Sequence, residues 1–151
     1  MVGSFPLILR VITPCLVRGA LILTPRGYKK IETLTEGNLI ITHRGKPSAI
    51  LKISRQLIKW TNTLPSDKIV FRINGKTPIY ISAWHKIRQQ DGRMVEARFC
   101  NLPVANPSEY CDSNGMFEFY HINIANWSEN HLIVSDGSQV GVIVESWSGK
   151  Y

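Results

Sequence analysis

The stretch CLVRGALILTPRGYKKIETLTEGNLIITHRG, residues 15–45, sets short apolar runs between closely spaced turn residues. Gly19 to Thr24 reads as a strand closed by Pro25-Arg26-Gly27, where proline presets φ and glycine takes a positive φ. The spacing predicts that Tyr28 to Ile31 pairs back as a hairpin and that Glu32 to Gly37 makes one turn with glycine at its end. Asn38 to His43 should then be the next strand, closed at Arg44-Gly45.

The same grammar continues outward. Ser48 to Leu57 alternates Ala49, Leu51, Ile53 and Leu57 with polar neighbours, which predicts a half-buried strand. Ile69 to Ile73 ends at Asn74-Gly75, a strong hairpin cue, with Pro78 to Ser82 as partner. Residues 88 to 116 are the least regular, broken by Asp91-Gly92, Asn106-Pro107 and Asn114-Gly115. Phe117 to Ala125, Asn130 to Ser135 and Val140 to Trp147 read as three closing strands. No long amphipathic helix is visible, so the expected class is all-β.

Composition narrows the function classes. A chain of 151 residues, 44% hydrophobic, suits one domain with one core. Arg10, Arg18 and Arg26 interrupt the apolar N-terminal region before it reaches the ~20 residues of a membrane span, so no transmembrane helix is expected. The opening MVGSFPLILRVITP has no basic residue ahead of its hydrophobic run and no small-x-small cleavage site, which argues against a signal peptide. Three cysteines, at 15, 100 and 111, cannot all pair with one another and show no C-x-x-C spacing. That points to a reducing intracellular compartment, to no metal or cofactor, and to ordinary buried or half-buried thiols at Cys100 and Cys111. The net charge of +7 would favour polyanions, but Lys29-Lys30 is the only adjacent basic pair and no aromatics interleave with a basic run. A solvated surface accounts for the charge without a nucleic-acid site. Trp60, Trp84, Trp127 and Trp147 have no spacing that implies a stacking platform and are expected in the core or at its rim.

From Cys15 to Gly45 the sequence resembles the opening of Hint (hedgehog/intein) domains. That family's pattern is a Cys, a Gly four residues on, a Thr-x-x-Gly turn, an Ile-Glu-x-Leu turn, and a Gly-Asp pair entering a strand. Here these are Cys15, Gly19, Thr24, Gly27, Ile31-Glu32, Leu34 and Gly37, with Ala20 where Thr is usual and Asn38 where Asp is usual. The family's Thr-x-x-His signature is similar to Ser82-Ala-Trp-His85. Its last strands are similar to Tyr120-His-Ile-Asn-Ile and Asn130-His131-Leu-Ile-Val-Ser-Asp-Gly137. The resemblance spans residues 15 to 147. The ending Val144-Glu145-Ser146 is closer to short viral and bacterial Hint domains than to splicing inteins, which end His-Asn before a Cys, Ser or Thr.

The resemblance implies a compact horseshoe of antiparallel strands over residues 15–151, preceded by an extein-like leader, residues 1–14. It also implies that the Cys15 thiolate attacks the Pro14 carbonyl carbon, turning an amide into a thioester. A planar amide resists attack because attack destroys its resonance, so the site must twist the bond or stabilise the oxyanion. By motif position, Ser82 would donate to that oxyanion, His85 would protonate the leaving nitrogen, and His131 would handle later proton transfers. His121, where the family often has Asp, and His43, beside a turn, are expected to be structural. Pro14 fixes φ next to the scissile carbonyl and restricts sulfur's approach. With Glu145-Ser146 in place of His-Asn, no C-terminal cleavage or ligation is expected. The implied activity is single-turnover release of the chain's own N-terminal segment to water or a small nucleophile, without metal or cofactor. The rival reading is a catalytically silent Hint-fold module acting as a binding or structural piece; a nucleic-acid-binding domain has charge alone behind it. The sequence leaves oligomeric state open.

Overall fold

The computed structural model describes residues 13–150, so the expected leader lies outside the described residues except for Thr13 and Pro14. In chain order the strands are β1 (Leu16–Val17), β2 (Leu21–Thr24), β3 (Gly27–Lys30), β4 (Leu39–Ile41), β5 (Pro47–Lys59) and β6 (Val70–Ile73). They continue with β7 (Ile79–Ser82), β8 (Lys86–Arg88), β9 (Met94–Glu96), β10 (Met116–Ile124), β11 (His131–Val134) and β12 (Val142–Glu145). Among the described residues the only helical elements are short 3-10 turns, and no helix is long and apolar enough to cross a membrane. The all-β expectation holds. Two six-stranded antiparallel sheets run β4-β5-β10-β1-β7-β6 and β3-β2-β11-β12-β8-β9.

The sequence pattern of residues 15–45 has a local cause at each conspicuous position. Gly19 has φ +95°, and its N–H donates to the Glu32 carboxylate at 2.9 Å, tying the first strand to the Ile31–Thr33 turn. The Thr24 hydroxyl donates to the Gly27 carbonyl at 2.6 Å across the hairpin, whose two-residue loop is Pro25-Arg26. Ile22 of β2, Ile31 of the turn after β3 and Ile40 of β4 are fully buried and join Leu132, Val134 and Val144 in one core with Leu16, Ile81, Tyr120 and Ile122.

Two local expectations are corrected. The alternation in residues 48–57 does not hold: Ile50 and Ile58 are the buried positions of β5, while Leu51 and Leu57 are exposed. The cause is a bulge. β10 pairs Asn123 with Lys52 but Ile124 with Ile50, leaving Leu51 as the extra residue and breaking a strict period of two. Likewise Asn74-Gly75 does not form a two-residue turn, since Ile73 pairs with Ile79 across a five-residue loop. Gly75 matters there for space: a Cβ on it would meet the Asp136 carbonyl oxygen at 2.4 Å, next to the Thr77 N–H that donates to the same oxygen.

That contact ties the β6–β7 hairpin tip to the loop after β11, and it yields a discriminating test. A type I′ turn would accept Gly75→Asn. Here Gly75→Asn and Gly75→Ala should each destabilise the domain by about 1–3 kcal/mol in urea denaturation, the cost of overpacking against backbone; an unchanged midpoint for Gly75→Asn would restore the turn reading.

Candidate active site

Strand β1 is only two residues long but is paired on both edges. Leu16 lies opposite Tyr120 of β10 and opposite Ile81 of β7. Advancing one residue toward the N-terminus places Cys15 between His121 on one side and Ser82 on the other. The period of two then sorts the faces. Leu16, Ile81, Tyr120 and Ile122 point into the main core, and Cys15, Val17, Phe117 and Phe119 share a second cluster on the opposite face. His121 continues the Phe117, Phe119 series on that second face.

The resulting contacts centre on the Pro14–Cys15 bond. The Cys15 N–H donates to Ser82 Oγ at 3.1 Å, so the serine hydroxyl meets the scissile nitrogen. The Ser82 N–H donates to the Cys15 carbonyl at 3.1 Å, and His85 Nδ1 lies 3.0 Å from that same oxygen. His85 is folded back by a turn in which its own N–H donates to the Ser82 carbonyl, and its Nε2 lies 2.8 Å from the Glu145 carbonyl of β12. Both ring nitrogens therefore face carbonyl oxygens, which accept hydrogen bonds. Cys15 Sγ is 3.2 Å from His121 Nδ1 and 3.1 Å from the Thr13 carbonyl. The same His121 Nδ1 is 3.3 Å from the Pro14 carbonyl oxygen.

The geometry thus brings Pro14, Cys15, Ser82 and His85 together but divides their contacts differently from the expectation. Ser82 meets the nitrogen, His85 holds the following carbonyl, and the group beside the Pro14 carbonyl oxygen is His121. Sequence reasoning passed over His121 as structural. The signal that could have found it was the face alternation of Phe117-Glu-Phe-Tyr-His121, read in register with a strand ending at Cys15.

His131 stands apart from this cluster. Its backbone N–H donates to His43 Nδ1 at 3.1 Å, its ring packs on His43 with centroids 4.9 Å apart, and its own Nδ1 is buried without a partner. Ser146, in the place of the family's terminal Asn, uses its hydroxyl to donate to the Trp127 and Asn130 carbonyls, at 2.9 and 2.7 Å.

Burial sets the protonation states. Cys15, Ser82, His85 and His121 are each no more than 2% exposed. Burial pushes the Cys15 thiol up to about 11, against the smaller opposing effects of the Thr13 hydrogen bond and the Lys68 charge. Burial also depresses His121 to about 4, opposed by its hydrogen bond to Pro14 and helped by Lys68 and His85. The resting pair is a neutral thiol beside a neutral imidazole. A surface concavity of about 540 Å³, lined by Thr24, Arg26, Lys29, Leu34 and Asn38, lies away from these residues. The Cys15 side chain is buried against the chain's own backbone, with half-buried Thr13 and Pro14 on its N-terminal side.

A family model described as the Hint domain matches residues 14–76. Among solved structures, the chain is similar to the bacterial intein-like domain from Clostridium thermocellum, with 16% identity and TM-score 0.60, covering 87% of this chain and 98% of that one. It is also similar to the MchDnaB-1 intein, with 12% identity and TM-score 0.58 (85% and 98% covered), and to the gp41-1 intein, with 15% identity and TM-score 0.56 (88% and 98% covered). At these identities the structural likeness is one of fold. No curated protein sequence matches the chain.

The depressed histidines make stability fall with acid. His121 and His131 both drop from an ordinary value of 6.5 to about 4, so the unfolded chain binds protons there that the folded chain refuses. Their contribution is complete above about pH 6.5 and is lost progressively as pH falls toward about 4. Chemical denaturation between pH 7 and 4 should show this loss, and His121→Asn or His131→Asn should each reduce its slope by up to about one proton. Equal slopes in all three proteins would show that neither ring is held neutral by the fold.

Proposed function

We propose that this chain, whose residues 14–76 match a Hint-domain model, is a self-processing domain that cuts its own backbone at the Pro14–Cys15 bond through a thioester, in a single turnover and without splicing. The observation that carries this reading is the position of one atom: His121 Nδ1 lies within hydrogen-bonding distance of both the Cys15 sulfur and the Pro14 carbonyl oxygen.

One nitrogen cannot accept from the thiol and donate to the carbonyl at once, so the two contacts describe two moments of one step. With a lone pair at Nδ1, His121 accepts the thiol proton. With a thiol near 11 and an imidazole near 4, a preformed ion pair is strongly disfavoured, so the proton moves as the S–C bond forms. The new Nδ1–H then faces the Pro14 oxygen, where negative charge has just developed. Sulfur adds to the Pro14 carbonyl carbon, the C–N bond breaks, and the Cys15 nitrogen leaves as an amine. The proton that His121 took from sulfur is the one the amine needs, and the Ser82 hydroxyl, already on that nitrogen, passes it on. His85, set between the Cys15 carbonyl and the Glu145 carbonyl of β12, fixes Cys15 in place. The thioester is resolved by water or a small nucleophile, freeing residues 1–14. His131 stays in this reading at the resolution stage by its motif position alone. Ser146 offers no carboxamide to cyclise, and its hydroxyl is engaged with loop carbonyls, which supports cleavage without splicing.

The rival, a silent Hint-fold module with a binding or structural role, draws support from the high Cys15 value and from Pro14 beside the nucleophile. Intact-mass measurements on fresh protein, with and without a strong thiol, separate the two. Self-cleavage predicts loss of residues 1–14, faster with thiol, absent in Cys15→Ala, and slowed about 100- to 10,000-fold in His121→Ala, the usual contribution of positioned acid-base help. A full-length mass that persists under both conditions leaves the silent module.

A further inference from the structure

A thioester sealed among side chains at most 2% exposed raises the question of how its acyl acceptor arrives. The answer lies after β12. Trp147 is 1% exposed and packs on the His121 ring, with centroids 5.4 Å apart, so the indole lies directly against the group that touches both sulfur and scissile carbonyl. The segment from Trp147 to Lys150 is a tight turn rather than a strand, closed by the indole Nε1 donating to the Lys150 carbonyl at 2.7 Å. Hydrogen bonds at Trp147 and Gly149 tie it to the sheet. The Trp147 N–H donates to the Ile122 carbonyl at 2.7 Å, and Asn123 Nδ2 donates to the Trp147 carbonyl at 2.8 Å. Lys52 Nζ donates to the Gly149 carbonyl at 3.4 Å and sits 5.3 Å over the indole. Gly149, at φ +83°, backs onto the Asn123 amide so closely that a Cβ would approach its Cγ at 3.2 Å. β1, β7 and β10 cover the sheet sides of the site with ladder hydrogen bonds that cannot open without unzipping the sheet, and half-buried Thr13 and Pro14 lie on its N-terminal side.

We propose that residues 147–150 form a gate over the Cys15 site: closed, Trp147 keeps water from the acyl carbon, and opening of the turn admits the nucleophile that resolves the thioester. The inference rests on the self-cleavage reading for its chemistry but not for its geometry. In the open state an acceptor, water or a small thiol or amine, adds through its O, S or N to the thioester carbonyl carbon. The C–S bond breaks, the sulfur leaves with the electron pair, and the acceptor's proton returns to sulfur through His121. Trp147 thereby governs which nucleophiles react, by size and by how long the turn stays open.

The test measures access directly. Iodoacetamide labelling is followed site by site by mass spectrometry, well below each variant's melting transition, in wild type, Asn123→Ala, Lys52→Ala and Trp147→Ala. Cys100 and Cys111, which are half-buried elsewhere, serve as internal controls. The gate predicts that Cys15 labelling rises at least about tenfold in Asn123→Ala while Cys100 and Cys111 keep their rates, tenfold being 1.4 kcal/mol off the closed state. A smaller rise is expected in Lys52→Ala. Leader release in plain buffer should speed up in the same order. Unchanged Cys15 labelling in both Asn123→Ala and Lys52→Ala overturns the gate, whatever Trp147→Ala does to folding. Gated labelling with no leader release in any variant would keep the gate and sink the self-cleavage reading instead.

Discussion

Everything at the site depends on the double pairing of β1. A strand of two residues has almost no stability of its own, yet Leu16 is hydrogen-bonded into the middle of a six-stranded sheet, with β10 on one edge and β7 on the other. That embedding fixes the Pro14–Cys15 amide at a place where two cross-strand neighbours are unavoidable. A one-residue slip would turn Cys15 into the main core and Leu16 onto the site, because side chains alternate faces. Register is therefore the first catalytic requirement, and the large apolar contribution of Leu16, Ile81, Tyr120 and Ile122 enforces it.

Once the register is set, the chemistry follows from burial. Water is removed from around a thiol and an imidazole that touch, and each shifts toward its neutral form. A site at rest with no charge is stable to store and slow to start. The same desolvation strengthens any interaction with charge that appears during attack, so the Nδ1–H aimed at the Pro14 oxygen counts for more there than it would in water. A sealed neutral site also limits stray reaction of the thiol, at the cost of needing a way in for the acceptor.

The fold was largely legible because its cues are local. Gly19, Gly27 and Gly37 occupy positive-φ turns, and Thr24 and Glu32 make short-range hydrogen bonds that any chain with this spacing would form. What was not legible depended on pairing between distant segments. The bulge at Leu51 is invisible until β5 meets β10, since only the partner strand reveals that two residues oppose one. Gly75 reads as a turn residue by its neighbour Asn74, whereas its actual constraint is the Asp136 backbone, 61 positions away.

The site shows the same division. Motif spacing singles out Cys15, Ser82 and His85, which lie together in the structure, but His121 lacks a motif of its own in this chain, since imidazole stands where the resemblance implies a carboxylate. Its importance comes from facing Cys15 across one antiparallel register, a relation that no local pattern encodes. The substitution also changes the physics in a particular direction. A buried carboxylate beside a thiol would raise the thiol's pKa further by like-charge repulsion between the two anions, whereas a neutral imidazole can take the proton without first bringing a charge into the pocket. The indole of Trp147 packed on that ring suits a base kept neutral, because an apolar cover disfavours the imidazolium until the oxyanion forms beside it. On the proposed mechanism His121 and Trp147 would act as one device: the cover holds the base uncharged, and charge becomes tolerable only when the transition state supplies its partner.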